Sequence, residues 1–141
     1  MAPFVGPSGE RDMDDGAIGG LQTAETLEVV RHFLDAFARH DVDGVMAAMS
    51  EDCVFENTWP PPDGERHVGR AAVRRFWERF FRETPSATFE TEEMFAGGAR
   101  CVVRWLYRWR NADGSAGHVR GVDVLRIRDG KVVEKLSYVK G

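Results

Sequence analysis

The chain has 141 residues, enough to bury one core and too few for two ordinary domains, and its 43% hydrophobic and 30% charged content excludes a disordered or fibrous protein. Nineteen basic residues are interspersed among twenty-three acidic ones for a net charge of -4, so no basic stripe exists for a phosphate backbone and nucleic acid is excluded as the main partner. No apolar run approaches the roughly 20 residues that span a bilayer, and the first residues lack a charged start followed by an apolar segment, so no membrane partner is expected and the location is read as cytoplasmic.

Residues 1–20 hold five Gly and two Pro with no apolar period, which predicts a mobile arm ahead of a single domain over 21–141. The GAIGG within it follows no strand and is not a dinucleotide loop. From Thr23, the recurrence of Leu27, Val30, Phe33, Leu34 and Phe37 predicts an amphipathic helix, with charged residues on its flanks. Asp41 is placed to cap a second, short helix that turns Val45, Met46 and Met49 inward. Cys53 to Thr58 predicts a short strand with Cys53, Phe55 and Asn57 on one face.

Trp59 and the three prolines after it cannot continue a ladder; they predict a stiff extended arm at the rim of a pocket or a plain crossover. Arg70 to Thr84 predicts a helix with a broad aromatic stripe of Val73, Phe76, Trp77, Phe80 and Phe81. Beyond Pro85 the pattern turns to strands near Thr88–Phe95, Arg100–Arg110, His118–Arg128 and Lys131–Val139, separated by GG, ADG and DG turns. Three helices on a curved, mixed but mostly antiparallel sheet make an α+β domain able to enclose a pocket.

The third of these strands carries the sharpest chemical signal. In VRGVDVLRIR, Asp123 shares a face with Val119, Gly121, Leu125 and Ile127. A carboxylate facing a core must be paired, protonated or open to a pocket. Two hairpin registers give it different meanings. A three-residue loop Ala112-Asp113-Gly114 sets Trp105 opposite Gly121 and Val103 opposite Asp123, with the aromatic face of the preceding strand turned inward. A two-residue turn slips the register and gives Asp123 a salt bridge to Arg104. Burial favours the first, in which desolvation suits Asp123 to act as an acid or hydrogen-bond donor and Lys135 of the last strand is the cation able to approach.

Cys53 and Cys101 form no C-x-x-C, and the four histidines form no ligand pair, so neither a metal nor a cofactor is expected. The runs FLDAFARHDVDGVMAAMSEDCVFENT, VGRAAVRRFWERFF and GVDVLRIRDGKVVEKLSYVKG together resemble the nuclear transport factor two-like superfamily, in its SnoaL-like and ketosteroid-isomerase-like branch, over about residues 22–141. The resemblance implies a cone of three helices on a curved sheet, a deep apolar pocket and a dimer. In steroid isomerases of this branch, a first-helix tyrosine and a late-strand aspartic acid bind the oxyanion while another aspartate moves the proton. Asp123 matches the late-strand acid, whereas Phe33 and Asn57 stand at the other two positions. The last-strand acid of the related polyketide cyclases corresponds to Ser137, and the Asp-Arg-Asp set of limonene epoxide hydrolases finds only Asn57 and Arg104.

The resulting expectation is a cofactor-free acid/base enzyme of isomerase, cyclase or hydrolase type acting on a small apolar, cyclic molecule, with Asp123 and Asn57 as catalytic candidates. Phe33, Trp59, Trp77 and Trp105 are the expected aromatic walls, joined by Val103, Tyr107, Leu125 and Ser137. The alternatives are a binding protein without turnover, and a dimerisation or accessory domain in which Asp123 is a satisfied core acid. A homodimer through the outer sheet face, bearing Val122, Val124 and the arginines, is the expected assembly.

Overall fold

A computed structural model describes the backbone from residue 9 and side-chain surroundings from residue 19. Of the arm expected over residues 1–20, residues 1–8 lie outside the described residues, whereas residues 9–20 have helical backbone. Helix α1 (Gly9–Ala38) starts earlier than the spacing from Thr23 implied, and α2 (Val42–Ala47) follows after a sharp turn. Asp41 caps α2 as expected, its side chain accepting from the Gly44 amide at 3.0 Å. Strands β1 (Met49–Glu56) and β2 (Arg66–Val68) then form a hairpin. Helix α3 (Arg70–Glu83) leads into β3 (Thr88–Gly97), β4 (Arg100–Arg110), β5 (Ala116–Arg128) and β6 (Lys131–Val139).

The three helices lie against one curved, open sheet of six strands in the order β2-β1-β6-β5-β4-β3, in which only β1 and β6 run parallel. This is the expected mixed, mostly antiparallel α+β architecture. Its curvature has local causes. Glu92 is an extra residue in β3, between the pairs Thr91–Trp105 and Glu93–Arg104, and Val133 is an extra residue in β6, between Val132 and Glu134. Each bulge bends its strand and raises its twist.

The loops set the registers. Asp129 and Gly130 both have positive φ, at 52° and 71°, as a two-residue primed turn requires between β5 and β6. Between β4 and β5 the Asn111 amide donates to the Ser115 carbonyl at 2.7 Å, leaving the three-residue loop Ala112-Asp113-Gly114. Trp105 thus faces Gly121 and Val103 faces Asp123, while Arg104 faces Val122 and pairs with Glu93 at 2.7 Å. The slipped register with an Arg104–Asp123 bridge is overturned: the alternation buries the indole of Trp105 and leaves the arginine half exposed.

Two expectations near β1 are also corrected. The strand ends at Glu56, so Asn57 is the first residue of a loop. That loop is not an extended arm: Gly64 donates to the Pro60 carbonyl at 2.7 Å and Asn57 to the Glu65 carbonyl at 2.9 Å, folding the prolines into a hairpin turn. Gly64, at φ 76°, lies so close to the Asn57 carbonyl that a Cβ has no room there.

The core lies between the helices and the concave sheet face. Val30, Phe33 and Phe37 of α1 and Val73, Phe76 and Trp77 of α3 pack on Phe55, Cys101, Val103 and Leu125. Burying each such large side chain contributes about 1.5–3 kcal/mol. The middle of α1 is tied to the β3–β4 turn by two hydroxyls: Thr26 donates to the Gly98 carbonyl at 2.7 Å, and Thr23 accepts from the Gly98 amide at 2.9 Å.

Candidate functional site

The same layering leaves a cavity of about 480 Å³ between α1, α3 and the sheet. Its walls are aromatic because two alternations converge on it. The 3.6-residue stripes of the helices supply Phe33, Phe37, Phe76, Trp77 and Phe80, and the two-residue alternation of β4 supplies Trp105, Tyr107 and Trp109. The β1–β2 loop forms a lip through Thr58, Trp59 and Pro61, with Trp59 69% exposed.

Two glycines make room for the indoles. A Cβ at Gly121 would overlap the Trp105 ring and the Tyr138 carbonyl, and one at Gly117 would overlap the Trp109 ring. The large ring over a glycine, anticipated for Trp105, is thus repeated four residues further along β4.

Polar groups gather at one place on this apolar surface. Asp123 pairs with Ser137 across β5 and β6, and Leu125 pairs with Lys135, which turns Asp123, Lys135 and Ser137 to the cavity side. Ser137 Oγ donates to Asp123 Oδ1 at 2.7 Å, and Lys135 Nζ donates to Ser137 Oγ at 2.9 Å while lying 3.2 Å from Asp123 Oδ2. Asp123 and Lys135 are only 4% and 5% exposed. The ammonium also stands over three rings, 4.7 Å from the centroid of Phe55, 5.3 Å from Trp77 and 5.7 Å from Phe37. Burial pushes the Lys135 ammonium below the ordinary lysine value, and the Asp123 carboxylate pulls it back. The three ring faces act in the same direction as the carboxylate, because they favour the charged form.

Asp123 is therefore not an isolated acid facing apolar walls. Lys135, which the sequence offered as a cation able to approach, is its ion-pair partner. Of the other expected site residues, Asn57, Phe33, Trp59, Trp77, Trp105, Tyr107 and Ser137 all line the cavity with Asp123. Val103 and Leu125 do not. Both are completely buried among the core side chains between the helices and the sheet. Phe37, Phe80 and Trp109, read from sequence as packing or strand positions, are cavity walls.

Burial raises the Tyr107 phenol above its ordinary value, opposed by a hydrogen bond with Thr84. The Trp77 indole nitrogen is buried with no acceptor among the described residues. His67 Nε2 lies 3.3 Å from Glu65 Oε2, but off the line of a hydrogen bond. Among the described residues, no group of three His, Cys, Asp or Glu side chains is placed to hold a metal ion, and no helix is long and apolar enough to cross a membrane.

The family profile of the SnoaL-like domain matches residues 30–135. Among solved structures, an NTF2-like protein of unknown function from Mesorhizobium loti is 42% identical, covering 85% of this chain and 94% of its own, with a TM-score of 0.73. A candidate polyketide cyclase from Xanthomonas campestris pv. campestris is 20% identical over 84% of this chain and 93% of its own, with a TM-score of 0.70. TerC, co-crystallized with polyporic acid, is 18% identical over 82% of this chain and 92% of its own, with a TM-score of 0.71. The last two bear on the fold alone. No curated protein matches the chain.

Proposed function

The chain belongs to the SnoaL-like domain family, with the nuclear transport factor 2-like fold, and we propose that its cavity holds a small, largely apolar, cyclic molecule and moves a proton on it. Asp123 is the acid/base group. The observation that carries this reading is a buried carboxylate, in a cluster with Lys135 and Ser137, on the wall of a mainly apolar cavity. The cavity volume, about 480 Å³, lies in the range of small-molecule sites. Flat rings on several walls favour a planar cyclic ligand. Polyporic acid on TerC and the cyclase description of the Xanthomonas protein agree with that class. Asn57 and the Tyr107 hydroxyl serve to orient a substrate oxygen, and no cofactor enters the reaction.

The test is to incubate the protein with cyclic ketones such as 2-tetralone in D2O and follow exchange of the acidic C–H by NMR, alongside crystals soaked with ketones, lactones and epoxides. Exchange above the buffer rate, lost in Asp123→Asn, is the expected result. A ligand seated in the cavity with no proton movement would instead favour a binding protein without turnover. That second reading has its own support: Asp123 is already engaged by Lys135 and Ser137, and Asn57 and Ser137 occupy positions where relatives' catalytic acids were expected.

For assembly, a homodimer through the outer face of β3–β6 is proposed. Phe95 and Tyr138 are each 54% exposed there beside Val122 and Val124, bordered by the Arg104–Glu93 and Arg120–Glu92 pairs. Light scattering of the wild type and Tyr138→Glu tests this; a monomeric wild type rejects it.

A further inference from the structure

Resting on the acid/base reading, we propose that Lys135 is the oxyanion partner of this site, and that the substrate class is an enolisable cyclic ketone or 1,3-dicarbonyl whose enolate oxygen is held by the Lys135 ammonium while Asp123 takes the proton. Hydrogen-bond counting gives the first argument. An ammonium has three N–H donors. One goes to Ser137 Oγ at 2.9 Å, and Asp123 Oδ2 lies 3.2 Å away as the ion-pair partner; beyond these two the ammonium has no polar acceptor among the described residues and faces aromatic rings on the cavity wall. A ligand oxygen entering beside these rings supplies what is missing.

Charge conservation gives the second. Forming an enolate in an apolar cavity is costly if it creates a new, unpaired charge. Here the charge only moves. The substrate C–H bond breaks and its proton goes to an Asp123 carboxylate oxygen. The C–H electron pair becomes the new C=C bond, and the carbonyl π pair comes to rest on oxygen. Before the step the ion pair is Asp123 with Lys135; afterwards it is the enolate with Lys135, beside a neutral Asp123. The ammonium lies 3.2 Å from the carboxylate, so it exchanges one anionic oxygen for another without crossing the cavity. Donors already in place when charge develops need no reorganisation. Lys135 is then a catalytic residue, because its ammonium touches the reacting oxygen.

The probe is 2-naphthol, whose anion absorbs and fluoresces apart from its neutral form. Wild-type protein is expected to bind it as naphtholate, with the pKa of the bound naphthol displaced downward. Lys135→Met is expected to weaken naphtholate binding by about 10- to 100-fold, the effect of losing a hydrogen bond to a charged group. Because that variant strands Asp123, Lys135→Met/Asp123→Asn is measured beside it, with circular dichroism confirming the fold, and is expected to bind only neutral naphthol. Neutral naphthol bound equally well by the wild type and the double variant would overturn the Lys135 assignment and leave the cavity reading standing. So would 2-tetralone exchange that survives Lys135→Met but not Asp123→Asn. An adduct on Lys135 trapped by cyanoborohydride would overturn it too, by making the amine a nucleophile. Absence of both naphthol binding and exchange in the wild type would reject the acid/base reading together with this one.

Discussion

Lys135→Met separates a buried ion pair from two independently packed side chains. At 3.2 Å and an effective dielectric of about 20, the Lys135–Asp123 attraction is about 5 kcal/mol. Methionine keeps most of the volume and removes the charge, leaving Asp123, 4% exposed, with only the Ser137 hydroxyl. Breaking such a pair from one side costs about 3–5 kcal/mol, roughly 10–20 °C in Tm for a domain of this size. Asp123→Asn is expected to cost less, because the stranded ammonium still has the faces of Phe55, Trp77 and Phe37.

The double variant buries no charge, and its stability is expected to return to within about 1 kcal/mol of the wild type or to exceed it. Urea unfolding at pH 7 gives the four corners of the cycle. If the double variant loses the sum of the two single losses, the two side chains are uncoupled and Lys135 is not the charge partner of Asp123.

Gly121→Ala is expected to cost about 1–3 kcal/mol or more, since its Cβ meets the Tyr138 backbone as well as the Trp105 ring, whereas Gly117→Ala meets only the Trp109 ring near the cavity mouth and costs less; equal losses in urea unfolding would contradict this. Burial pushes the Cys101 thiol up from 9.0 to about 11, with Arg31 opposing weakly. The folded value lies above the unfolded one, so this thiol's stabilisation is complete below about pH 9 and is lost as pH rises through about 11; Cys101→Ala is expected to remove about 2–3 kcal/mol of that alkaline loss, read by unfolding at pH 8 and pH 11. Trp59→Ala is expected to shift stability by no more than about 0.5 kcal/mol while weakening 2-naphthol binding, so calorimetry and a thermal melt should move independently.

Much of the frame was legible because short-range rules decide it. The spacing of Val73, Phe76, Trp77 and Phe80 marked the apolar side of α3, Asp41 marked the start of α2, and the Ala112-Asp113-Gly114 loop set the register that places Asp123 inside. Parity alone could not say how far the cavity extends along the inner face. Val103 and Leu125 share the parity of Asp123, yet they lie within the packed core, and that depends on how the helices cross the sheet. The prolines after Trp59 posed the opposite difficulty: they excluded a ladder correctly, but the reversal is set by Gly64 meeting the Asn57 carbonyl, a contact between residues on opposite sides of the turn.

Lys135 shows where local reasoning stops. With the Asp129-Gly130 turn and no irregularity, regular pairing would set Leu136 opposite Asp123 and turn Lys135 to the outer face, where a lysine is ordinarily found. The extra residue at Val133 shifts β6 by one, so that Ser137 faces Asp123 and Lys135 enters the cavity. Nothing in KVVEKLSYV announces the bulge. The compensation is visible only in three dimensions: Val132 and Val133 are both buried, and the inverted parity brings a cation to a carboxylate that would otherwise stand uncompensated. One of the two irregularities that bend the sheet, the extra residue at Val133, is also the one that gives the cavity its ammonium, which ties part of the shape of this site to its chemistry.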